Sequence, residues 1–73
     1  MELTTSELLD HVKVRAGHGE NVEATIVKGG LRATHFLEYW EGRFYDTGID
    51  DQRSRTSRRS LLEHYPRTIW TVM

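Results

Sequence analysis

Apolar residues recur at helical spacing in two stretches of the 73-residue chain. The first, TTSELLDHVKV, opens with Thr4 and Glu7 at the spacing of a capping box and continues with leucines and a valine on one helical face. The second, SLLEHY, is ended by Pro66, which lies just beyond it and disfavours helical backbone in the residue before it. The pattern predicts two short helices separated by a long central segment.

Alternation of apolar and polar residues predicts strands in that central segment and at the end of the chain. It runs through VEATIVK, LRATHFLEYW and RFYDT, and Gly29-Gly30 and Glu41-Gly42 provide two-residue hairpin turns. The closing segment TIWTVM predicts a fourth strand. We therefore expect a single domain over residues 1–73 with an α+β fold of order α-β-β-β-α-β, in which an antiparallel sheet of three to four strands packs against two short helices.

The two turns fix the register of the strands. The first places Ala24 opposite His35, and the second places Leu37 opposite Asp46. His35 and Asp46 are then diagonal neighbours on the apolar face, about 7–8 Å apart between backbones, and we interpret them as a polar pair that stabilises the fold. The members of this face are Leu31, Ala33, His35, Leu37, Tyr39, Phe44 and Asp46.

The segment THFLEYWEGRFYD resembles the His/Asp hairpin of papain-like and transglutaminase-like enzymes. The resemblance implies that Asp46 orients His35, and that His35 activates a cysteine on an N-terminal helix. The chain contains no cysteine, and Ser6 near the first helix has no evident oxyanion hole beside it. A small or degenerate hydrolase built on this pair is therefore the alternative to a structural pair, and we assign no catalytic residue.

The histidines show no metal-binding pattern. His11, His18, His35 and His64 have no ligand spacing such as His-x3-His, and no cysteine is present to complete a site. We therefore expect neither a metal nor a cofactor.

The compartment is indicated by what the sequence lacks. A chain without cysteine has no disulfide framework, which favours a reducing compartment. Its first twenty residues carry charges throughout, unlike a signal peptide, and no apolar run is long enough to span a bilayer. We expect a cytoplasmic protein.

Charge is distributed unevenly along the chain. Residues 1–51 hold ten acids and five bases, whereas residues 52–73 hold one acid and five bases, so a net charge of −1 conceals an acidic body and a basic end. Two of the arginines are predicted in the first turn of the second helix, where the helix dipole disfavours cations. Unless Asp50 and Asp51 compensate, contact with an acidic protein surface or an RNA backbone is expected. The stretch comprises Arg53, Arg55, Arg58 and Arg59.

The second sheet face has the residue types of a protein interface. It carries Arg32 and Glu38 beside Trp40, Arg43 and Tyr45, and the second turn sets Trp40 opposite Arg43, a natural cation–π pair. If both helices cover the apolar face, Trp40, Arg43 and Tyr45 are open to a partner; the alternative is that a helix or the C-terminal segment covers them. The acidic body and a pI near 6.4 disfavour non-specific binding to DNA.

In its length, lack of cysteine and richness in arginine, the chain resembles the small host-takeover regulators of lytic phages such as those that infect Xanthomonas. The resemblance implies a non-enzymatic protein that binds host RNA polymerase, inhibits transcription initiation and promotes antitermination. We therefore expect a host protein as partner, RNA as the alternative contact of the arginine stretch, no membrane association, and a monomer when free in the host cytoplasm.

Overall fold

The computed structural model describes residues 1–16, 20–47 and 54–73. These residues form two helices and a single six-stranded sheet, so the predicted α+β class is confirmed. In chain order the elements are β1 (Glu2–Thr4), α1 (Thr5–Ala16), β2 (Val22–Lys28), β3 (Leu31–Trp40), β4 (Arg43–Asp46), β5 (Ser54–Thr56), α2 (Arg58–His64) and β6 (Ile69–Val72).

The sheet has the strand order β1-β6-β2-β3-β4-β5, and every neighbouring pair is antiparallel. The closing segment forms the predicted strand β6, which lies between β1 and β2. The expected three to four strands are corrected to six, because β1 and β5 are also present at the two edges. Each has three residues, which is too short for an alternating pattern to stand out in the sequence.

Both hairpin turns have the backbone conformation that the sequence predicts. Gly29 and Gly30 have φ of 58° and 82°, and Glu41 and Gly42 have φ of 50° and 76°. Positive φ at both central residues defines the type I′ turn, whose twist matches that of the flanking strands. The predicted registers follow, with Ala24 opposite His35 and Leu37 opposite Asp46.

The predicted capping box starts helix α1. The Thr4 hydroxyl accepts the Glu7 backbone N–H at 3.3 Å, and the Glu7 carboxylate accepts the Thr4 N–H at 3.0 Å. The hydrogen bonds from the Thr4 backbone and side chain lower the pKa of Glu7, because they stabilise its charged form. Thr4 thus ends β1 and begins the helix without an intervening loop.

Both helices pack on one face of the sheet. Leu8, Leu9 and Val12 of α1 and Leu61 of α2 are buried against it. No described helix lies on the opposite face, and none is long and apolar enough to cross a membrane. Leu31 belongs to the covered face by register but is 79% exposed, since it lies at the hairpin end. The strand residues of the core are Val22, Ala24, Leu37, Phe44, Trp70 and Val72.

Candidate functional site

The predicted contact between His35 and Asp46 is present in the covered face. The His35 Nδ1 atom lies 2.7 Å from the Asp46 Oδ2 atom, and because a carboxylate only accepts, the imidazole donates. The two side chains are 14% and 18% exposed, so this hydrogen bond is largely shielded from water. Their strands place them diagonally, since Asp46 opposes Leu37, two positions beyond His35.

Aromatic rings enclose the imidazole. The Trp70 ring meets His35 edge-on at 5.3 Å between centroids, and the Tyr65 ring does so at 6.0 Å. The Trp70 indole N–H donates to the Thr5 hydroxyl at 2.9 Å, and that hydroxyl donates to the Tyr65 carbonyl oxygen at 2.6 Å. We call Thr5, His35, Asp46, Tyr65 and Trp70 the core network. Among the described residues, no buried side-chain nitrogen or oxygen lacks a partner.

A hydrolase would need a nucleophile within reach of His35. The two hydroxyls of α1 instead form hydrogen bonds with other residues. The Thr5 hydroxyl bonds to Trp70 and Tyr65. The Ser6 hydroxyl accepts from the Arg58 guanidinium at 3.1 Å on the exposed side of the helix. The arrangement therefore suits a polar pair that links β3 to β4 better than a nucleophile and its base.

Metal binding finds no support in the part of the chain that the structure describes. No three histidine, cysteine, aspartate or glutamate side chains of residues 1–16, 20–47 and 54–73 lie together as ligands. His18 lies outside the described residues, and His35 uses Nδ1 for Asp46.

The opposite face of the sheet presents aromatic side chains next to arginines. Trp40 is 52% exposed, its ring centroid lies 6.5 Å from that of Tyr45, and it stands directly opposite Arg43. The predicted cation–π contact between Trp40 and Arg43 stays a prediction. Alternation in β3 adds Phe36, which is 40% exposed, and the pairing of β4 with β5 sets Arg55 opposite Tyr45. We call Phe36, Trp40, Arg43, Tyr45 and Arg55 the aromatic corner.

Phe36 and the position of Arg55 were missed at the sequence level for different reasons. Phe36 is two residues from Glu38 in a strand of known register, so the alternation could have identified it. The position of Arg55 depends on β5, whose three residues gave no readable pattern.

The arginine stretch does not form one patch in the described part of the chain. Arg58 and Arg59 lie in the first turn of α2, as predicted, behind the N-cap Ser57. Arg58 donates to the Asp10 carboxylate of α1 at 2.8 Å, and Arg59 donates to Glu63 at 2.9 Å. Arg58 therefore joins the two helices, a benefit to folding that the sequence did not reveal.

The remaining members of the stretch divide between the open face and the undescribed segment. Arg55 belongs to the aromatic corner, on the sheet face opposite α2. Arg53 lies outside the described residues, as do Asp50 and Asp51, which were expected to compensate the arginines. Comparison of this chain with protein-family models, with curated proteins and with solved structures found no match.

Proposed function

We propose that this protein is a non-enzymatic docking module that binds a larger protein through the aromatic corner. The observation that carries the proposal is the exposure of Trp40, 52%, on a sheet face over which no described helix packs. Removing the exposed half of a large aromatic side chain from water is favourable, and exposed aromatic patches mark protein-binding surfaces. Burial of Trp40 by a partner would provide that stabilisation.

The chemistry of the corner favours a protein surface. Trp, Tyr and Arg are the residue types that contribute most to binding at protein interfaces, and here Trp40, Tyr45 and Arg43 are neighbours. Phe36 and Trp40 provide apolar contact area with few rotatable bonds. Arg43 and Arg55 provide forked donors that suit carboxylates.

Host RNA polymerase is the partner that we propose, with inhibition of transcription initiation and promotion of antitermination as the outcome. The support is the likeness in length and composition to host-takeover regulators of lytic phages. On this proposal the protein is monomeric when free, acts in the host cytoplasm, and needs neither a membrane nor a cofactor.

Absence of catalysis is part of the proposal. Its support is the enclosure of His35 by Trp70 and Tyr65 and the engagement of Thr5 and Ser6 in other hydrogen bonds. On this basis the His35–Asp46 pair stabilises the sheet beneath α2, and the binding surface lies on the other face.

The proposal is tested with purified Xanthomonas core RNA polymerase and holoenzyme. Binding of the labelled protein is followed by fluorescence anisotropy, and transcription is measured from a promoter and through an intrinsic terminator. We expect binding, fewer initiated transcripts and more read-through. Trp40→Ala should weaken all three effects together, whereas Leu31→Ala, which removes an exposed apolar side chain away from the corner, should retain them.

Two results would overturn parts of the proposal separately. Lack of binding to either form of the polymerase at micromolar concentration would remove that enzyme as the partner. The second result is that an unstructured RNA oligonucleotide displaces the polymerase and quenches the fluorescence of Trp40. That result would reassign the corner to nucleic acid, since bases stack on exposed aromatic side chains and arginines contact the phosphates.

A further inference from the structure

A groove opens at the opposite end of the sheet, where β2 and β6 separate. The register of these two strands ends at Thr25 and Thr71, so Ile26, Val27 and Lys28 have no partner in β6. The space beside them has a volume of about 520 Å³, within the range of roughly 300 to 1,000 Å³ that is typical of ligand pockets. Ile69 lies across the groove from Val27.

The wall formed by β2 offers backbone as well as side chains. The Glu23 carbonyl oxygen accepts from the Met73 N–H at 3.2 Å, and so it points toward β6. Backbone groups alternate in direction along a strand, so those of Val27 point to the same side, into the groove. Val27 is 59% exposed and Ile69 is 54% exposed, which makes the walls apolar and accessible.

The two charged side chains at the groove, Lys28 and Arg67, are both cations. They line it beside His64, and no carboxylate is found among its described lining residues. Neither Lys28 nor Arg67 forms an ion pair within the described part of the chain. His64 donates from Nδ1 to the Ser60 carbonyl oxygen at 2.7 Å, so its Nε2 atom is the nitrogen left for a ligand.

We propose that this groove binds a short, extended, acidic segment of a partner protein. The apolar side chains of the segment pack on Val27 and Ile69, its carboxylates meet Lys28 and Arg67, and its backbone adds one rung to the outer side of β2. Charge complementarity favours an acidic occupant, because Lys28 and Arg67 form no ion pair with any described residue and flank an apolar wall whose described residues include no acid.

The groove is separate from the aromatic corner. Arg32, opposite Val27, and Trp40 lie eight residues apart on β3, a distance of about 26 Å at the rise of an extended strand. The inference therefore does not rest on the proposed polymerase binding, and each site can be disabled alone.

The test uses a fluorescein-labelled octapeptide that alternates glutamate and valine. Anisotropy should show binding that weakens as salt rises, because the cations are exposed. Lys28→Glu combined with Arg67→Glu should weaken binding by roughly tenfold or more, since two attractive contacts become repulsive. Lys13→Glu combined with Arg15→Glu alters the net charge equally on α1, where Lys13 lies over the Tyr39 ring at the other end of β3, and should leave peptide binding unchanged.

Amide NMR locates the bound peptide. A pair of neutral substitutions controls for loss of binding that is caused by misfolding of the charge-reversed variant. Titration should shift the amides of Val27, Lys28 and Ile69 and slow hydrogen exchange at Val27. Lys28→Gln with Arg67→Gln should weaken binding less than the glutamate pair and keep the spectrum of the folded chain.

Four outcomes would overturn the proposal. The first is binding of the acidic peptide by the charge-reversed groove variant as tightly as by the parent, and the second is binding of a glutamine–valine octapeptide as tightly as the acidic one. The third is tighter binding of an oligothymidylate with the same amide shifts, and the fourth is self-association in sedimentation that the groove variant abolishes. The third would assign the groove to nucleic acid and the fourth to a second copy of the chain.

Discussion

Thr5 and Trp70 are 65 positions apart in the sequence, yet the Thr5 hydroxyl accepts the indole N–H of Trp70 at 2.9 Å. Trp70 is completely buried, so this hydroxyl satisfies a donor that water cannot reach. The same hydroxyl donates to the Tyr65 carbonyl oxygen. One side chain at the start of α1 therefore holds β6 and the end of α2 in place.

Thr5→Val should destabilise the fold by about 2 kcal/mol or more, because it leaves a buried indole N–H and a carbonyl without partners while preserving the shape of the side chain. Urea denaturation followed by tryptophan fluorescence measures the free energy of unfolding. Thr5→Ser keeps the hydroxyl and should recover most of the loss. Equal stability of the valine variant and the parent would show that the hydrogen bonds contribute little.

Asp46→Asn should lower the free energy of unfolding by about 1–2 kcal/mol, since a charge-assisted hydrogen bond to His35 becomes a neutral one. Partner binding should be nearly unchanged, because the aromatic corner lies on the other face. Glu63→Gln, on the exposed surface of α2, is the control for loss of a carboxylate. If Asp46→Asn instead abolished a measurable hydrolytic activity of the parent, the structural interpretation would be wrong.

Acid should weaken the start of α1. The pKa of Glu7 is lowered by its hydrogen bonds with Thr4, so the folded pKa lies below the ordinary value of 4.5 that applies to the unfolded chain. The stability that the carboxylate contributes is therefore present above pH 4.5 and is lost as the pH falls through the folded pKa. The free energy of unfolding should fall less between pH 6 and pH 3 for Glu7→Gln than for the parent. An identical fall would contradict the role of the Glu7 carboxylate in the cap.

Trp40→Ala should weaken association with the partner by about 2 kcal/mol and should cost the monomer less than that, because half of the side chain is in water. Calorimetric titration against the polymerase and urea denaturation of the free protein measure the two quantities. A large loss of monomer stability would show that Trp40 serves the fold instead.

Arg58 and Arg59 should now behave differently. Arg58→Ala removes the link from α2 to Asp10, and we expect a loss of a few tenths to about 1 kcal/mol, as for other exposed ion pairs. Arg59→Ala should cost less, since Arg59 and Glu63 are more fully exposed overall. A double-mutant cycle between Arg58 and Asp10 measures the coupling energy, and a value of zero would show that this ion pair does not stabilise the fold.

The glutamate pair at these positions tests binding as well as folding. The sequence suggested that Arg58→Glu with Arg59→Glu would leave the fold as stable or more so, because an acid suits a helix N-terminus. The proximity of Asp10 and Glu63 reverses that expectation to a modest loss of stability. If these arginines contact the partner, as the sequence suggested, association should fall steeply and become less sensitive to salt, whereas binding through the aromatic corner alone should change little. Normal binding by the pair at low salt would exclude both arginines from the interface.

Local chemistry made much of this structure predictable. Glycine and glutamate turns set both hairpin registers, the register brought His35 to Asp46, and the spacing of Thr4 and Glu7 gave the cap. In each case the interacting residues are a few positions apart or lie on strands joined by a tight turn. Backbone geometry alone then determines which side chains meet.

The features that could not be predicted depend on tertiary packing. Any of several hydroxyl groups could accept a hydrogen bond from the Trp70 indole N–H, and nothing in the sequence identifies Thr5 as the acceptor. Arg58 could be paired with Asp10 only after the two helices were placed side by side. β1 and β5 form by pairing with the edges of longer strands. Three residues are too few to show an alternating pattern in the sequence.

The placement of β6 between β1 and β2 has a kinetic consequence. Hairpins β2–β3 and β3–β4 close through two-residue turns and can form early, in microseconds. The ladder between β1 and β6, in contrast, joins the two ends of the chain, as does the Thr5–Trp70 hydrogen bond. Contacts between residues so far apart in the sequence slow folding, because the chain loses conformational entropy before these stabilising contacts form. We therefore expect the rate-limiting step to be capture of the first strand by the last, with the central meander already folded.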